Sequence, residues 1–271
     1  MQFVDRALAI RLEAAEDLAQ LRYAETAART YPEANITSEE IAGGHMVFDR
    51  VGSPIGRAIS LGLRSPVTVA EIDRIEQFYF ARGADAQLEV TPLADESLFQ
   101  LVRQRPYRLA ELNNVLARTL APRETFSASA SGFEIRRAQP NEAERCVEIT
   151  AEAFGNEFPP EMAQFVAPMF SSSDLLYVAV ADDELAAVGT GLISPEHKMV
   201  ALFGAATRLK FRGRRLQTAL LNARLNAAVE AGCTLAVIVT RGGTSSQRNA
   251  ERLGFTLAYT KAVMVRERCG Q

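Results

Sequence analysis

A chain of 271 residues that is 48% hydrophobic can bury one large core or two modest ones, and its length favours one or two domains. A net charge of −3, a pI near 5.6 and arginines interspersed with acids argue against a nucleic-acid or membrane-surface protein, while leaving a homo-oligomer open. Cys146, Cys233 and Cys269 have no close spacing and His45 lies far from His197, so neither a disulfide framework nor a metal site is expected. Residues 1–20 lack a basic stretch followed by a continuous apolar one, and no segment reaches the length of a membrane span, which makes the cytoplasm the expected location.

From residue 5 to 31 the sequence is rich in Ala, Leu, Glu and Arg without Gly or Pro, which predicts helix capped by Asp5 and ended near Pro32. Residues 46–50 and 57–63 then read as a hairpin, with His45 at its entrance as a turn residue. Thr68 and Glu71 form a capping box that opens a helix through about Phe80, since each can satisfy the other's free N–H. A strand at 87–91, a helix at 97–104 and a strand at 107–120 complete a strand, helix, strand, helix, strand order. Residues 121–132 contain Pro, Ser and Gly without periodicity and read as a linker.

Beyond it, a strand is expected at 133–137 and helices at 141–154 and 159–170, separated by a turn of Gly155, Asn156, Glu157 and Phe158. Residues 175–181 and 186–193 form a hairpin about Asp182, Asp183 and Glu184, whose acids are read as a solvated tip. The first half's order then recurs: strand 200–207, helix from about Arg214, strand 234–240, helix 246–252, strand 255–265. Thr91 and Tyr107 are 16 positions apart, as are Val239 and Phe255, which suggests a diverged duplication. The two principal helices start differently. The first is capped and carries Glu71 and Asp73; the second has no Ser, Thr, Asp or Asn cap and is flanked by Arg212, Arg214 and Arg215, leaving N–H donors and positive charge for an anion such as a pyrophosphate.

LFGAAT at 202–207, the turn from Arg212 to Gln217, TALL at 218–221 and SQRNAERLGF at 246–255 together resemble the GNAT acyltransferase superfamily over about 133–267. Its acetyl-coenzyme A turn reads Arg/Gln-x-x-Gly-x-Gly/Ala, and Arg212, Gly213, Arg214, Arg215, Leu216 and Gln217 occupy those places. Arg215 stands where the family usually has Gly and Gln217 where it has Gly or Ala, adding side chain where backbone approaches pyrophosphate. The resemblance implies an α/β (α+β) fold of two GNAT-like halves, each a mixed, partly antiparallel sheet flanked by helices. The expected boundaries are a degenerate domain at 1–125 that binds no cofactor and an acyl-CoA-binding domain at 126–271. The cofactor, acetyl-CoA, would lie between the strands ending at Thr207 and Thr240, held by Ala205, Ala206 and Thr207 and by the turn through Thr218. The implied reaction moves an acetyl group to an amine of a small molecule or peptide. A catalytically silent acyl-CoA sensor or scaffold, or a module without cofactor, are the alternatives.

Many members of the family have a Tyr five residues before the Phe of Leu-Gly-Phe; here that place holds Ala250. Residues 198–207 contain no carboxylate, and 233–240 offer only Cys233, Thr234 and Thr240. The remaining proton-transfer candidates are Glu157, in the turn that by the resemblance lies where the family has its acceptor-substrate loop, Glu196 or His197, and Tyr259.

Overall fold

The computed structural model describes residues 3–155 and 163–268, with the side chains of 163–165 excepted. The chain divides into two compact units, one of Met1–Leu116, Thr240–Gln247 and Thr256–Gln271, the other of Ala117–Val239 and Arg248–Phe255. These units do not follow the expected boundary at 125, because the last strand enters the sheet of the first.

In the first unit, α1 (Arg6–Thr30) is a single helix whose Leu8 N–H donates to Asp5 Oδ1 at 2.8 Å. The hairpin β1 (Thr37–Ile41) and β2 (Gly44–Phe48) follows, then β3 (Ala58–Ile59), α2 (Val69–Phe80), β4 (Ala86–Val90), α3 (Glu96–Arg103) and β5 (Arg108–Thr119). The expected 46–50/57–63 hairpin survives as a short antiparallel pairing of β2 with β3. The strand the sequence concealed is β1, whose Ser38, Glu39 and Glu40 give it little apolar signal. The sheet runs β1-β2-β3-β4-β11-β5, where β11 is Thr256–Arg266 and pairs antiparallel with β4 from Ala262–Val90 to Arg266–Ala86. Its core packs Met46, Phe48 and Leu88 against Ile72, Ile75, Phe78 and Leu98.

A second, ionic layer lies where α1 meets the sheet. Lys261 on β11 is fully buried, with Nζ 2.6 Å from Glu16, 2.6 Å from Glu89 and 3.3 Å from Glu13. Desolvation opposes the ammonium, yet the three carboxylates outweigh it and hold Lys261 well above its ordinary pKa. Burial pushes Glu16 up to about 7 and Asp17 up to about 6. Ser60 donates to Asp17 at 2.6 Å, and Tyr23 donates to Asp49 at 3.0 Å.

The second unit has the sheet order β10-β9-β8-β7-β6, from β6 (Glu134–Arg137), β7 (Tyr177–Ala181), β8 (Glu184–Ser194), β9 (Met199–Thr207) and β10 (Leu235–Arg241), the last counted to Val239. All neighbours are antiparallel except β9 and β10, which are parallel. Alternation along the strands, shifted by one residue at Ala186 where the β7–β8 register slips, splits the core by face. Val178, Leu185 and Val188 pack on α4 (Ala143–Phe154) and α5 (Ala163–Ser171), while Ala179, Ala186 and Ala187 pack on α6 (Leu216–Glu230). The helix α7 is Ser245–Arg252. Asp182 and Asp183 both take left-handed φ and are exposed at the β7–β8 tip, as a two-residue hairpin turn requires. The expected linker is stitched down: Asn226 exchanges hydrogen bonds of 2.8 and 2.9 Å with the Phe126 backbone, and Asn222 donates to Ser127 O at 2.7 Å. These asparagines, which helical periodicity places on a polar face, therefore serve to cover α6.

Two expectations follow for stability. A carboxyl whose folded pKa is raised contributes fully below its unfolded value and loses that contribution as pH rises through the folded one. Glu16 and Asp17 thus make stability fall between about pH 4 and 7, and Glu16→Gln should flatten that decline in thermal unfolding curves. Lys261→Met leaves Glu13 and Glu16 without their cation and should cost about 3–5 kcal/mol in denaturant titration.

Candidate active site

The site begins with a register slip. Between β8 and β9 the pairing runs from Ser194–Met199 to Thr190–Phe203, then resumes at Val188–Ala206. Gly189 alone on β8 therefore faces Gly204 and Ala205 on β9, a bulge of one extra residue. Gly204 adopts φ +57°, and a Cβ there would lie 2.4 Å from Thr190 Cγ2, so only glycine fits. On the other side of β9, pairing with β10 covers only Met199–Leu235, Val200–Ala236 and Ala201–Val237. Past Ala201 and Val237 the two strands carry no register pairs, and β9 runs on to Thr207 with backbone groups released from that ladder. Ala205 is exposed there, and Ala206 is buried.

The turn after β9 sorts its cations. Arg208 is bound by Glu152 and donates to Leu185 O, and Lys210 pairs with Glu184 at 2.6 Å. Arg212, Arg214 and Arg215 are exposed, and among the described residues none has a carboxylate within ion-pair distance. Arg212 donates to Ala153 O at 2.6 Å, and Arg214 lies 5.8 Å from the rings of Phe133 and Phe211. Arg215, at the place of the family's Gly, takes the left-handed conformation at φ 60° that a glycine would adopt, at a cost of about 1–2 kcal/mol. It is the N-cap residue of α6 and makes no side-chain cap, so the N–H groups of Leu216, Gln217 and Thr218 face no capping oxygen. By contrast, Thr68 N–H donates to Glu71 Oε2 at 2.7 Å and Glu71 N–H to Thr68 Oγ1 at 3.3 Å, closing the start of α2. Gln217 does not crowd the turn. Its Nε2 reaches back to the sheet, donating to Ala206 O at 2.8 Å, Thr207 Oγ1 at 2.9 Å and Val188 O at 3.2 Å.

The proton-transfer candidates scatter. Glu157 lies outside the described residues. His197 and Glu196 are in the β8–β9 hairpin, with His197 Nδ1 3.0 Å from Ser194 Oγ, at the end of β9 remote from the bulge. Six residues of strand, Met199 to Gly204, lie between the turn of His197 and Ala205, a rise of roughly 20 Å. Tyr259 belongs to the first unit, where its buried hydroxyl donates to Glu13 at 2.6 Å; burial and that acid raise its pKa, so its proton is committed to a structural bond. Ala250 is fully buried, and burial pushes the Cys233 thiol up to about 11.

The model of the Acetyltransferase (GNAT) family matches residues 143–255, spanning the bulge, the parted strands and the arginine turn. The chain carries a GNAT domain. A GCN5-related N-acetyltransferase from Kribbella flavida shares 17% identity with a TM-score of 0.64, over 93% of this chain and 96% of that one. A GCN5-related N-acetyltransferase from Sphaerobacter thermophilus shares 22% at a TM-score of 0.55, over 68% of this chain and only 60% of that one. A tandem GNAT protein from the clavulanic acid biosynthesis pathway shares 14% at 0.57, over 84% and 76%. At such identities the likeness is one of fold, and it includes the two-half form. No curated protein matches the sequence. In the GNAT domain the first test of the bulge is Gly204→Ala, which should destabilise the protein by about 1–3 kcal/mol in chemical denaturation, because a Cβ must displace Thr190 while holding a strained φ.

Proposed function

We propose that this protein transfers an acyl group, acetyl by preference, from coenzyme A to an amine of a small molecule or peptide. The observation that carries this reading is the uncapped start of α6 with three arginines that, among the described residues, have no carboxylate partner, directly after the strand that parts from β10. Helix-terminal N–H groups, the macrodipole and guanidinium groups all favour a pyrophosphate. The second helix of the same kind, α2, has its donors consumed, so one coenzyme A site per chain is expected.

Bound there, acetyl-CoA would supply an activated thioester. The chain's own part is to hold and orient: Arg212, Arg214 and the α6 amides grip the phosphates, and backbone N–H groups about Ala205–Thr207 polarise the carbonyl. With Ala250 at the tyrosine place and Tyr259 committed to Glu13, orientation carries most of the rate, roughly 7–11 kcal/mol being available from that source. Those same two facts favour the second reading, a binder of acyl-CoA without turnover. Titration with coenzyme A, followed by an amine panel read as free thiol release, separates the readings.

Replacing Arg212 and Arg214 together by Ala should weaken coenzyme A binding in calorimetry by about 1.5–3 kcal/mol for each phosphate hydrogen bond removed; unchanged affinity would overturn the site. Where turnover is found, kcat/KM should climb with pH along the deprotonation of the acceptor amine. A bell-shaped profile would instead require a side-chain acid and base.

A further inference from the structure

Two side chains of α6 close on the β8–β9 bulge from one helix face. Gln217 and Arg224 are seven residues apart, two helical turns, and so project in the same direction. Gln217 Nε2 donates to Val188 O and Ala206 O, the register pair on one side of the bulge. Arg224 Nη1 donates to Thr190 O at 2.6 Å and to Phe203 O at 3.4 Å, the register pair on the other side. Arg224 Nε donates to Leu220 O at 3.0 Å, which fixes the guanidinium to its own helix. Gly189 leaves the room it occupies, since a Cβ there would lie 2.7 Å from Arg224 Cζ and Nη2. All four carbonyls bordering the unpaired residues thus accept hydrogen bonds from side chains of α6.

The choice of residue is informative. Arg224 is 1% exposed and, among the described residues, has no carboxylate partner; burial alone lowers its pKa to about 9. An apolar side chain would fill this place without the desolvation cost of a buried cation. Arg224 Nη2, Gln217 Oε1 and Thr190 Oγ1, all beside the bulge, have no hydrogen-bond partner among the described residues. The cluster is therefore polar beyond what holding the strands demands.

We infer that Gln217 and Arg224 are positioning residues for the thioester: they keep the β8–β9 ladder parted so that the backbone N–H groups about Ala205–Thr207 are aimed at the acyl carbonyl, under the positive potential of a buried guanidinium. This inference rests on the acyl-CoA reading. It separates two parts of the site, because the α6 turn binds coenzyme A whether or not it carries an acyl group, whereas the clamped bulge senses the acyl group alone.

The test compares coenzyme A with acetyl-CoA in calorimetry and reads the infrared carbonyl stretch of acetyl-CoA labelled with ¹³C at that carbon. In the wild-type protein the bound stretch should move to lower frequency. In Gln217→Leu and Arg224→Met that shift should shrink and the preference for acetyl-CoA over coenzyme A should fall about tenfold, the worth of one hydrogen bond. Arg224→Lys, which keeps the charge, should recover part of the shift. If Arg224→Met does not fold, Gln217→Leu, at a half-buried position, decides alone. A full carbonyl shift in the variants, or equal loss of affinity for both ligands, overturns the inference while the acyl-CoA reading stands. Failure of the wild-type protein to bind coenzyme A overturns that reading and the inference with it.

Discussion

An extra residue in β9 between Phe203 and Ala206 interrupts an otherwise regular antiparallel ladder, and the second unit is arranged around that interruption. A strand with period two cannot absorb one additional residue without exchanging its faces, so the chain must turn it out as a bulge. Glycine at 204 admits the backbone, glycine at 189 admits the guanidinium, and α6 brings donors for the carbonyls at either edge. The neighbouring parallel pairing ends within three residues, which leaves β9 without a partner on that side at the same level. Backbone polarity that elsewhere in the sheet is spent on strand pairing is here made available.

The two halves of the chain show how the same succession of elements acquires opposite chemistry. Both place a helix between parallel neighbours, β3 with β4 in one and β9 with β10 in the other. The start of α2 is neutralised by its own side chains, so its electrostatics are complete within the fold. The start of α6 is left positive. In the first unit the compensated charges have moved inward, where Lys261 sits among Glu13, Glu16 and Glu89 with Arg57 pairing Glu89 at 3.0 Å. Three carboxylates so close could hold a cation, and an ammonium of the chain itself stands in that place.

The sequence revealed most of this fold because its helices and strands are locally consistent. Caps at Asp5 and Thr68, alternation along β7 and β8 and the glycine-rich end of β9 place nearly every element within two residues. The arginine turn was legible because a missing cap is a local property. What was hidden depends on long-range partners. Arg224 lies among Leu220, Ala223 and Ala228 on a helix buried on most sides, and nothing in a helical pattern says that strand carbonyls will meet it. A signal existed: an arginine on an apolar stripe, two turns from a glutamine in a place where relatives of this fold carry a small residue. Tyr259 illustrates the reverse, since the sequence left it among the candidates for proton transfer, and its neighbours in space are Glu13 and Lys261. Residues about 245 positions apart set its chemistry.

The position of β11 between β4 and β5 bears on how the protein is made. During synthesis the ribosome delivers α1 through β5 first, and roughly 140 residues separate Leu116 from Thr256. At about 5–20 residues per second, β4 and β5 wait on the order of 7–30 s for the strand that belongs between them. Throughout that interval the acids of α1 and β4 lack Lys261, and the inner edges of both strands stay open. The amino-terminal unit, first out of the tunnel, is thereby obliged to finish last, after the segment that forms the arginine turn and α6 has already emerged.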